Sequence, residues 1–479
     1  MKRFVKLLCV LLSAALLFGF SANAASDITV KNVSCSMYGD GATGRGFCWF
    51  TEARAGTDLQ LVKTAEFNGS FEGAKTYTGR AALYRGRYSH QVAVTDLSPA
   101  TAYTYRVGDA DKNVWSAPKT FVTDDMDAAF SFITIADVQA SSDENFAHAA
   151  ETLKGATETL PDAGFIVNLG DYVNDNTNDE WDWYFKNFAF ANDAYTGVPV
   201  AGNHDGNITN KLNTLCFPRT FCLDRSDNES VEGVYYSFDY GNAHFAVLNT
   251  NDMYPMSQAQ RNWLKNDMGN SAAQWKILLM HRSLYSAGKN INKPDTVIMR
   301  DVLLPIIDGL GIDLVLSGHD HMYMRTAPVK GDARTGDVAR ITETFRGQET
   351  EFAVDPEGTV YIIPSTAGTK RYTVNEDAID PIHAVADVEF STRDRGGCFA
   401  TTEIEGGRLV YRAYLVDDDT REITLADEYA IMKTDENVWN AQNHDQSILS
   451  TLYAGPVNFI VALVKMLVSY VKLLVQVTN

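Results

Sequence analysis

The chain reads as two folded units in series, an all-β sandwich over residues 25–124 and an α/β layered domain over residues 125–432. Three observations predict this order. Residues 26–123 carry short alternating stretches, such as 103–107, separated by Gly, Asp, Asn and Pro turns, with no sustained helical period. After the polar joint 124–127, apolar strand-like runs begin to alternate with helix-like segments. At 479 residues, with 45% hydrophobic and 11% aromatic side chains, the chain is too long for one ordinary core and too apolar for bulk disorder.

The first residues form a processing pattern. Lys2, Arg3 and Lys6 precede an apolar run over 7–20, and Ala22, Asn23 and Ala24 offer small residues at a cleavage position. Residues 1–24 are therefore expected to be an export signal, and the mature protein to be secreted or extracellular. In the β-rich region, the stretch 97–103, Leu-Ser-Pro-Ala-Thr-Ala-Tyr, resembles the turn and tyrosine corner of fibronectin type III domains. In that corner the Tyr hydroxyl bonds to nearby backbone. Trp49 and Trp115 are expected in the core or between sheets, and no His, Asp or Glu cluster marks this region as a site.

In the second region the strand-like runs are 130–136, 165–169, 198–201, 275–280 and 312–316. Helix-like segments lie at 145–160, 180–191, 257–268 and 296–310, the third opening on a capping-box pattern, Ser257 with Gln260. Residues 235–250, broken at Tyr240-Gly241-Asn242, read as a hairpin, and strands return at 359–363 and 408–416. Trp181, Trp183, Tyr184 and Phe185 read as packing residues. Residues 433–454 form a polar linker. In the apolar tail, 455–479, Asn458, Lys465, Ser469, Lys472 and Gln476 fall on one narrow helical stripe. The tail is thus expected to lie in a membrane interface, with packing on protein as the second choice and spanning as the third, since Lys465 falls near its middle.

The formal charge is −20, and −23 once Lys2, Arg3 and Lys6 are lost with the signal. Such an acidic surface disfavours nucleic acid as a bulk partner, and an anionic substrate would need local positive charge. Cys9 leaves with the signal, so Cys35, Cys48, Cys216, Cys222 and Cys398 remain, an odd and sparse set without zinc-ligand spacing. Spacing leaves open a small loop closed by Cys216 and Cys222, and a staple between Cys35 and Cys48.

Five apolar runs end in residues that can bind metal or move a proton. Asp137 and Gln139 follow the first, Gly170-Asp171 the second, Gly202-Asn203-His204-Asp205 the third, His281 the fourth and Gly318-His319-Asp320-His321 the fifth. In α/β sheets functional groups gather at the carboxyl ends of strands, so these residues are expected to converge. A carboxylate can bridge two cations about 3.5–4 Å apart, each polarising one oxygen of a phosphate ester. Mixed imidazole, carboxylate and amide donors suit Zn, Mn or Fe. The histidines at 90, 148, 244, 383 and 444 lie outside these motifs and read as ordinary polar residues.

The motif order D-x-Q, G-D, G-N-H-D, H and G-H-D-H resembles the calcineurin-like metallophosphoesterases. The fibronectin-like lead region, with Gly406-Gly407-Arg408-Leu409-Val410-Tyr411, is similar to purple acid phosphatase-type members. The resemblance implies an α-β-β-α layered second domain and a small phosphate ester as substrate. By position it implies that Asp137 and His321 bind a first metal, that Asp171 bridges, and that Asn203, His281 and His319 bind a second. His204 would act at the scissile ester, oriented by Asp205, while Tyr323 and Arg325 could contact phosphate oxygens. Two positions depart from the pattern. Asn174 replaces the colour-giving tyrosine three residues after the bridging aspartate. Gln139 stands where many members have histidine, and is a weaker metal ligand or a neighbour of one.

The expected reaction is in-line hydrolysis of a monoester, with diester or nucleotide hydrolysis, or an inactive surface-binding relative, as alternatives. Selectivity is assigned to the loops 175–182, 211–230 and 282–293.

Overall fold

A computed structural model describes residues 28–206, 217–224, 234–251, 256–377 and 382–434. The expected signal segment, most of the linker, the apolar tail, Cys9, Cys216, His444 and much of the loop 211–230 lie outside the described residues.

Two sheets frame the molecule. One is twelve-stranded and runs in the order Arg340–Phe345, Gln348–Val354, Ile423–Met432, Arg408–Val416, Gly397–Glu405, Ala129–Ile135, Phe165–Asn168, Thr196–Pro199, Lys31–Met37, Arg45–Thr51, Arg87–Val94, Arg80–Tyr84. The other is eight-stranded: Gly39–Asp40, Tyr236–Tyr240, Ala243–Val247, Trp275–Leu279, Leu314–Leu316, Val360–Pro364, Tyr323–Thr326, Ala386–Phe390. At the centre of each sheet the strands are parallel: Ala129–Ile135, Phe165–Asn168 and Thr196–Pro199 in one, and Ala243–Val247, Trp275–Leu279 and Leu314–Leu316 in the other. Parallel strands buried on both faces read as continuous apolar runs, which is why the motif-bearing runs were visible in the sequence.

An aromatic seam joins the two sheets. Phe132 and Phe165 stack at 5.0 Å, and Phe245 of the other sheet meets both edge-on, at 5.6 and 5.5 Å. Burying each ring contributes about 1.5–3 kcal/mol. Outside this seam, the helix Asp143–Thr159 packs on the first sheet, and Gln258–Asn270 and Pro294–Leu310 pack on the second. The result is the expected α-β-β-α layering behind a β-rich lead region.

Local signals account for the helix starts. Ser142 caps Asp143–Thr159 by accepting from the Asn145 N–H, and Ser257 caps Gln258–Asn270 by accepting from the Gln260 N–H. The box read at Ser257 is only half formed, because the Gln260 amide turns to the Asn249 backbone instead. The full box is at Thr177 and Glu180, opening the helix Asn178–Asn187. The predicted segment 180–191 is broken at Phe188, with a second short helix at Ala189–Asn192. Trp181, Tyr184 and Phe185 are core residues, as their spacing predicted.

In the lead region the Tyr103 hydroxyl accepts the Ser98 N–H at 2.9 Å, forming the expected corner. Trp49 is fully buried and stacks on His90 at 5.2 Å, while Trp115 is half-buried against Arg106. The lead region keeps its own buried core, but its larger sheet continues into the α/β region. Lys31–Met37 pairs in parallel with Thr196–Pro199, so four of its strands extend the first sheet of the α/β region. Arg45, fully buried, holds this seam: its Nε donates to Thr196 Oγ1 at 3.0 Å and its other nitrogens donate to the carbonyls of Gly41, Gly44 and Val122. The joint at 124–127 is only partly a solvent-facing linker, since Asp124 is buried and accepts the Gly241 N–H.

The cysteine staple is overturned. Cys35 and Cys48 are free thiols one register step apart, Cys35 pairing with Phe47 and Ser34 with Cys48. Adjacent positions on paired strands face opposite sides of the sheet. Cys35 enters the lead-region core, while Cys48 packs against Phe50 and Cys222 on the other face.

His244 ties the hairpin to a helix. Its Nδ1 lies 2.7 Å from Asp239 and its Nε2 2.9 Å from Asp267. Burial alone would lower its pKa, but the two carboxylates outweigh burial and push it up to about 9. The unfolded value is about 6.5. A raised folded pKa contributes stability that is complete below the unfolded value and lost as pH rises through the folded one. The wild-type unfolding free energy should therefore fall between pH 6.5 and 9.5 by about 1–2 kcal/mol more than that of His244→Gln, since Asp239 is largely exposed and its share is screened. Denaturant titrations at both pH values measure this, and equal pH slopes in the two proteins would contradict it.

Candidate metal centre

The carboxyl ends of the central strands of both sheets meet at one place. The first sheet delivers Asp137 after Ala129–Ile135, Asp171 after Phe165–Asn168 and Asn203 after Thr196–Pro199. The second delivers His281 after Trp275–Leu279, and His319 and His321 after Leu314–Leu316. The backbone there is strained. Asp137 (φ 52°), Gln139 (36°), Asp171 (53°), His319 (75°) and His321 (43°) all adopt left-handed conformations. Each costs of order 1–3 kcal/mol, and such residues cluster at functional sites. Gly202 makes the crowding possible, because a Cβ there would lie 2.0 Å from the Asp171 nitrogen.

Two groups of donors result. Asp171, His281 and His319 bring one atom each within 4.8 Å of one another, and so do Asp137, Asp171 and His321. Asp171 belongs to both. Asn203 Oδ1 lies 3.2 Å from His281 Nε2, which puts it on the side of the first group. Asp137, Asp171, His281 and His321 are essentially closed to solvent.

Backbone carbonyls set the imidazole tautomers. A carbonyl only accepts, so His281 Nδ1–H donates to Leu169 at 2.7 Å and His321 Nδ1–H donates to Lys370. In each ring Nε2 is then left to face a carboxylate: Asp171 at 3.4 Å for His281 and Asp137 at 3.3 Å for His321. The carboxylates are held by backbone too. The His319 N–H donates to both Asp137 oxygens, at 3.0 and 2.8 Å, and the His204 N–H donates to Asp171 Oδ1 at 2.7 Å.

The charges are tightly coupled. Burial would raise the Asp171 carboxyl, but the charge and hydrogen bond of His281 hold it well below the usual range. Burial would lower His281, but Asp171 pushes it up to about 9. Burial, then the neighbouring His281, keeps His319 well below its ordinary value. Among the described residues, the buried His319 Nε2 and Gln139 Oε1 have no hydrogen-bond partner. A buried polar atom without a partner costs about 1–3 kcal/mol, and a cation would satisfy it. The mixed imidazole, carboxylate and amide set fits Zn, Mn or Fe.

Three expected roles need correction. Asp205 does not orient the His204 ring. Its carboxylate accepts the N–H groups of Asp171, Tyr172 and Gly202 at 2.8–2.9 Å, so it shapes the turn that presents Asp171. The His204 ring is oriented instead by Asn174, whose carbonyl accepts Nδ1–H at 2.5 Å. Tyr323 and Arg325 do not face the site. The Tyr323 hydroxyl donates to Asp427 at 2.7 Å and Arg325 grips the same carboxylate at 2.7 and 3.2 Å, with Asp387 alongside. Buried and neutralised there, they are structural.

Sequence reading missed the segment 370–372. Lys370 offers its carbonyl to His321, the Tyr372 N–H donates to the His321 carbonyl at 3.1 Å, and the Tyr372 ring stacks on the His321 ring at 4.5 Å. Burial, then the charges of Asp137, Asp171 and Asp320, pushes the Tyr372 hydroxyl up to about 12. Backbone carbonyls leave no residue-type signature, and Tyr372 stands far from every motif, so no signal pointed to it.

Comparison with known proteins agrees with this architecture. The calcineurin-like phosphoesterase family matches residues 130–323, and the purple acid phosphatase N-terminal domain matches residues 30–123. Purple acid phosphatase 15 of Arabidopsis thaliana is 23% identical over 329 residues, covering 62% of this chain and 57% of that protein. Acid phosphatase type 7 of Mus musculus is 23% identical over 370 residues, covering 72% of this chain and 79% of that protein. The chain thus spans little more than half the length of the Arabidopsis relative. The fold is shared with the purple acid phosphatase PPD1 from yellow lupin (Lupinus luteus), with a TM-score of 0.71 at 14% identity over 86% of this chain and 76% of that one. A PhoD structure aligns with a TM-score of 0.57 at 13% identity over 88% of this chain and 98% of that one. The chain therefore joins a purple acid phosphatase N-terminal domain to a calcineurin-like phosphoesterase domain.

Proposed function

We propose that the protein is a metal-dependent phosphoesterase that hydrolyses small phosphate monoesters at a two-metal centre. The observation that carries this reading is Asp171, the one residue common to both donor groups. Asp137, Asp171 and His321 would hold one cation, with Gln139 as a weak further ligand; Asp171, Asn203, His281 and His319 would hold the other. Two such cations supply Lewis-acid polarisation of the phosphate oxygens and of the attacking water. Bound cations would also give local positive charge to an acidic chain.

The protein's own groups do the rest. Asp205 and Gly202 fix the turn that aims Asp171 and Asn203. The carbonyls of Leu169 and Lys370 keep the His281 and His321 Nε2 atoms available as ligands. His204, held by Asn174 through Nδ1–H, would protonate the leaving oxygen through Nε2 as a general acid. Asn174 in place of a tyrosine argues against a coloured tyrosinate–iron site. Export rests on the pattern of residues 1–24, and surface association on the striped tail.

Turnover of a panel of phosphate mono- and diesters with Zn, Mn or Fe tests the reading, and a preference for diesters with every metal would overturn the monoesterase assignment. Asp171→Asn should lose turnover and metal together, by metal analysis and assay of one preparation, because one carboxylate serves both groups. His204→Ala should keep its metals and lose about 10²–10⁴ in kcat on alkyl phosphates. Its loss on aryl phosphates should be smaller, since those leaving groups need no proton; equal losses on both would remove the general-acid role. Metal binding should release protons at neutral pH, because His281 in the metal-free protein holds a proton up to about 9. Affinity should thus fall as pH drops below that value, and calorimetry in buffers of different ionisation enthalpy reads the proton count.

A further inference from the structure

The lead region reaches the loop that orients His204. Its strands Arg80–Tyr84 and Arg87–Val94 stay paired up to Tyr84 opposite Arg87, so Arg85 and Gly86 alone make the turn. Both adopt left-handed backbone, with φ of 50° for Arg85 and 81° for Gly86. A two-residue hairpin turn of this kind usually opens with Asn, Asp or Gly. A long side chain persists in that conformation where surrounding contacts over-determine it, and here those contacts lie in the α/β region. The Arg85 Nη1–H donates to the Asn176 carbonyl, and the Asn178 amide donates back to the Arg85 carbonyl at 3.1 Å.

Asn176 carries this contact inward. It is fully buried and itself left-handed, with φ 56°. Its side-chain amide donates to the Gly206 carbonyl, two residues past His204, and its Oδ1 accepts the Trp181 indole N–H at 2.7 Å. Two residues before it, the Asn174 carbonyl accepts the His204 Nδ1–H at 2.5 Å. Between and beside the two asparagines, the N–H groups of Asp175 and Thr177 donate to the Glu180 carboxylate at 3.0 Å each. The loop 174–177 is thus bonded to the His204 ring at one point and to the backbone after His204 at another. Arg85 holds the same loop from the lead-region side, and Arg87 next to it bonds Asp182 of the following helix at 2.6 Å. An imidazole oriented by a single carbonyl follows that carbonyl, and a shift of about 1 Å in a reacting group can cost as much as 10²-fold in rate.

We propose that Arg85 is a positioning residue for the reaction: by holding Asn176 it fixes the loop 174–177, and with it the carbonyl that orients His204. The lead region then takes part in turnover through its hairpin tip, although it touches neither the donor groups nor the substrate. This rests on the phosphoesterase reading above and on the role given there to His204.

The test is a double-mutant cycle in the metal-loaded full chain. It reads kcat on an alkyl phosphate for wild type, Arg85→Gln, His204→Ala and the pair, with Arg85→Lys and the metal content of each protein alongside. Arg85→Gln should lower kcat about tenfold, a part of the roughly 10²–10⁴ that a general acid contributes. In the His204→Ala background the same substitution should change kcat by less than about twofold, because the group it positions is gone. Arg85→Lys keeps a donor and should recover most of the loss, and all the proteins should hold equal metal. An equal loss in both backgrounds, or no loss in either, overturns this inference and leaves the phosphoesterase reading standing. A loss that follows metal content also overturns it, because Arg85 would then act on the donor groups. Wild-type kcat in His204→Ala removes the role of His204 and this inference together. Absence of turnover by metal-loaded wild type overturns the phosphoesterase reading itself, and this inference with it.

Discussion

The structure is organised around two carboxylates, Asp137 and Asp171, buried within 4.8 Å of each other. Two like charges at that separation repel by about 3 kcal/mol at an effective dielectric of 20, before the cost of leaving water. Backbone N–H groups of His319 and His204 point at them, the Nε2 atoms of His281 and His321 approach them, and the Asp205 carboxylate lies close enough to Asp171 to feel its charge. His319 and Gln139 add polar atoms that the protein itself does not satisfy. Bound cations would complete such an arrangement by satisfying these atoms and offsetting the two carboxylates.

Holding these groups in place requires a rigid support. Five site residues adopt left-handed backbone conformations, and that strain persists only where surrounding packing over-determines it. The support here is the aromatic seam between the sheets, with Phe132, Phe165 and Phe245 a short distance below the strand ends that carry the donors. Each sheet contributes candidate donors from its central parallel strands, so the donor groups come together only when both sheets are formed and packed.

The lead region belongs to this support. Its strand Lys31–Met37 continues the first sheet past Thr196–Pro199, whose far end carries Asn203 and His204. Buried Arg45 makes one hydrogen bond across the seam, to Thr196, and three to carbonyls of the lead region, and Asp182 of the α/β region bonds Lys31, Asn32 and Arg87 of the lead region. A buried guanidinium that lost one of these partners would be left with an unsatisfied donor, which ties the register of the two regions together. The lead region thus braces the strand behind the site, although it supplies none of the donor residues.

Much of this could be read from the linear chain. The parallel strands appear as apolar runs because both of their faces are buried, and the residues that follow those runs carry the donor types. The motifs that hold Asp137, Asp171, Asn203, His281, His319 and His321 were therefore legible from strand-end position and residue chemistry, as was the alternating α/β pattern. The choice of donors within each motif and the α-β-β-α order were implied by the family resemblance. Residue type cannot say where a side chain turns once the backbone bends. Only the folded chain shows that Tyr323 and Arg325, two and four residues past His321, point to Asp427, and that Asp205 supports the Asp171 turn and leaves His204 to the Asn174 carbonyl. It also decided that Lys370 and Tyr372 close around His321, that Cys35 and Cys48 face apart, and that the lead sheet fuses with the next. Each of these depends on a backbone group, a local pleat or a strand edge, and those carry no side-chain identity for a sequence to display.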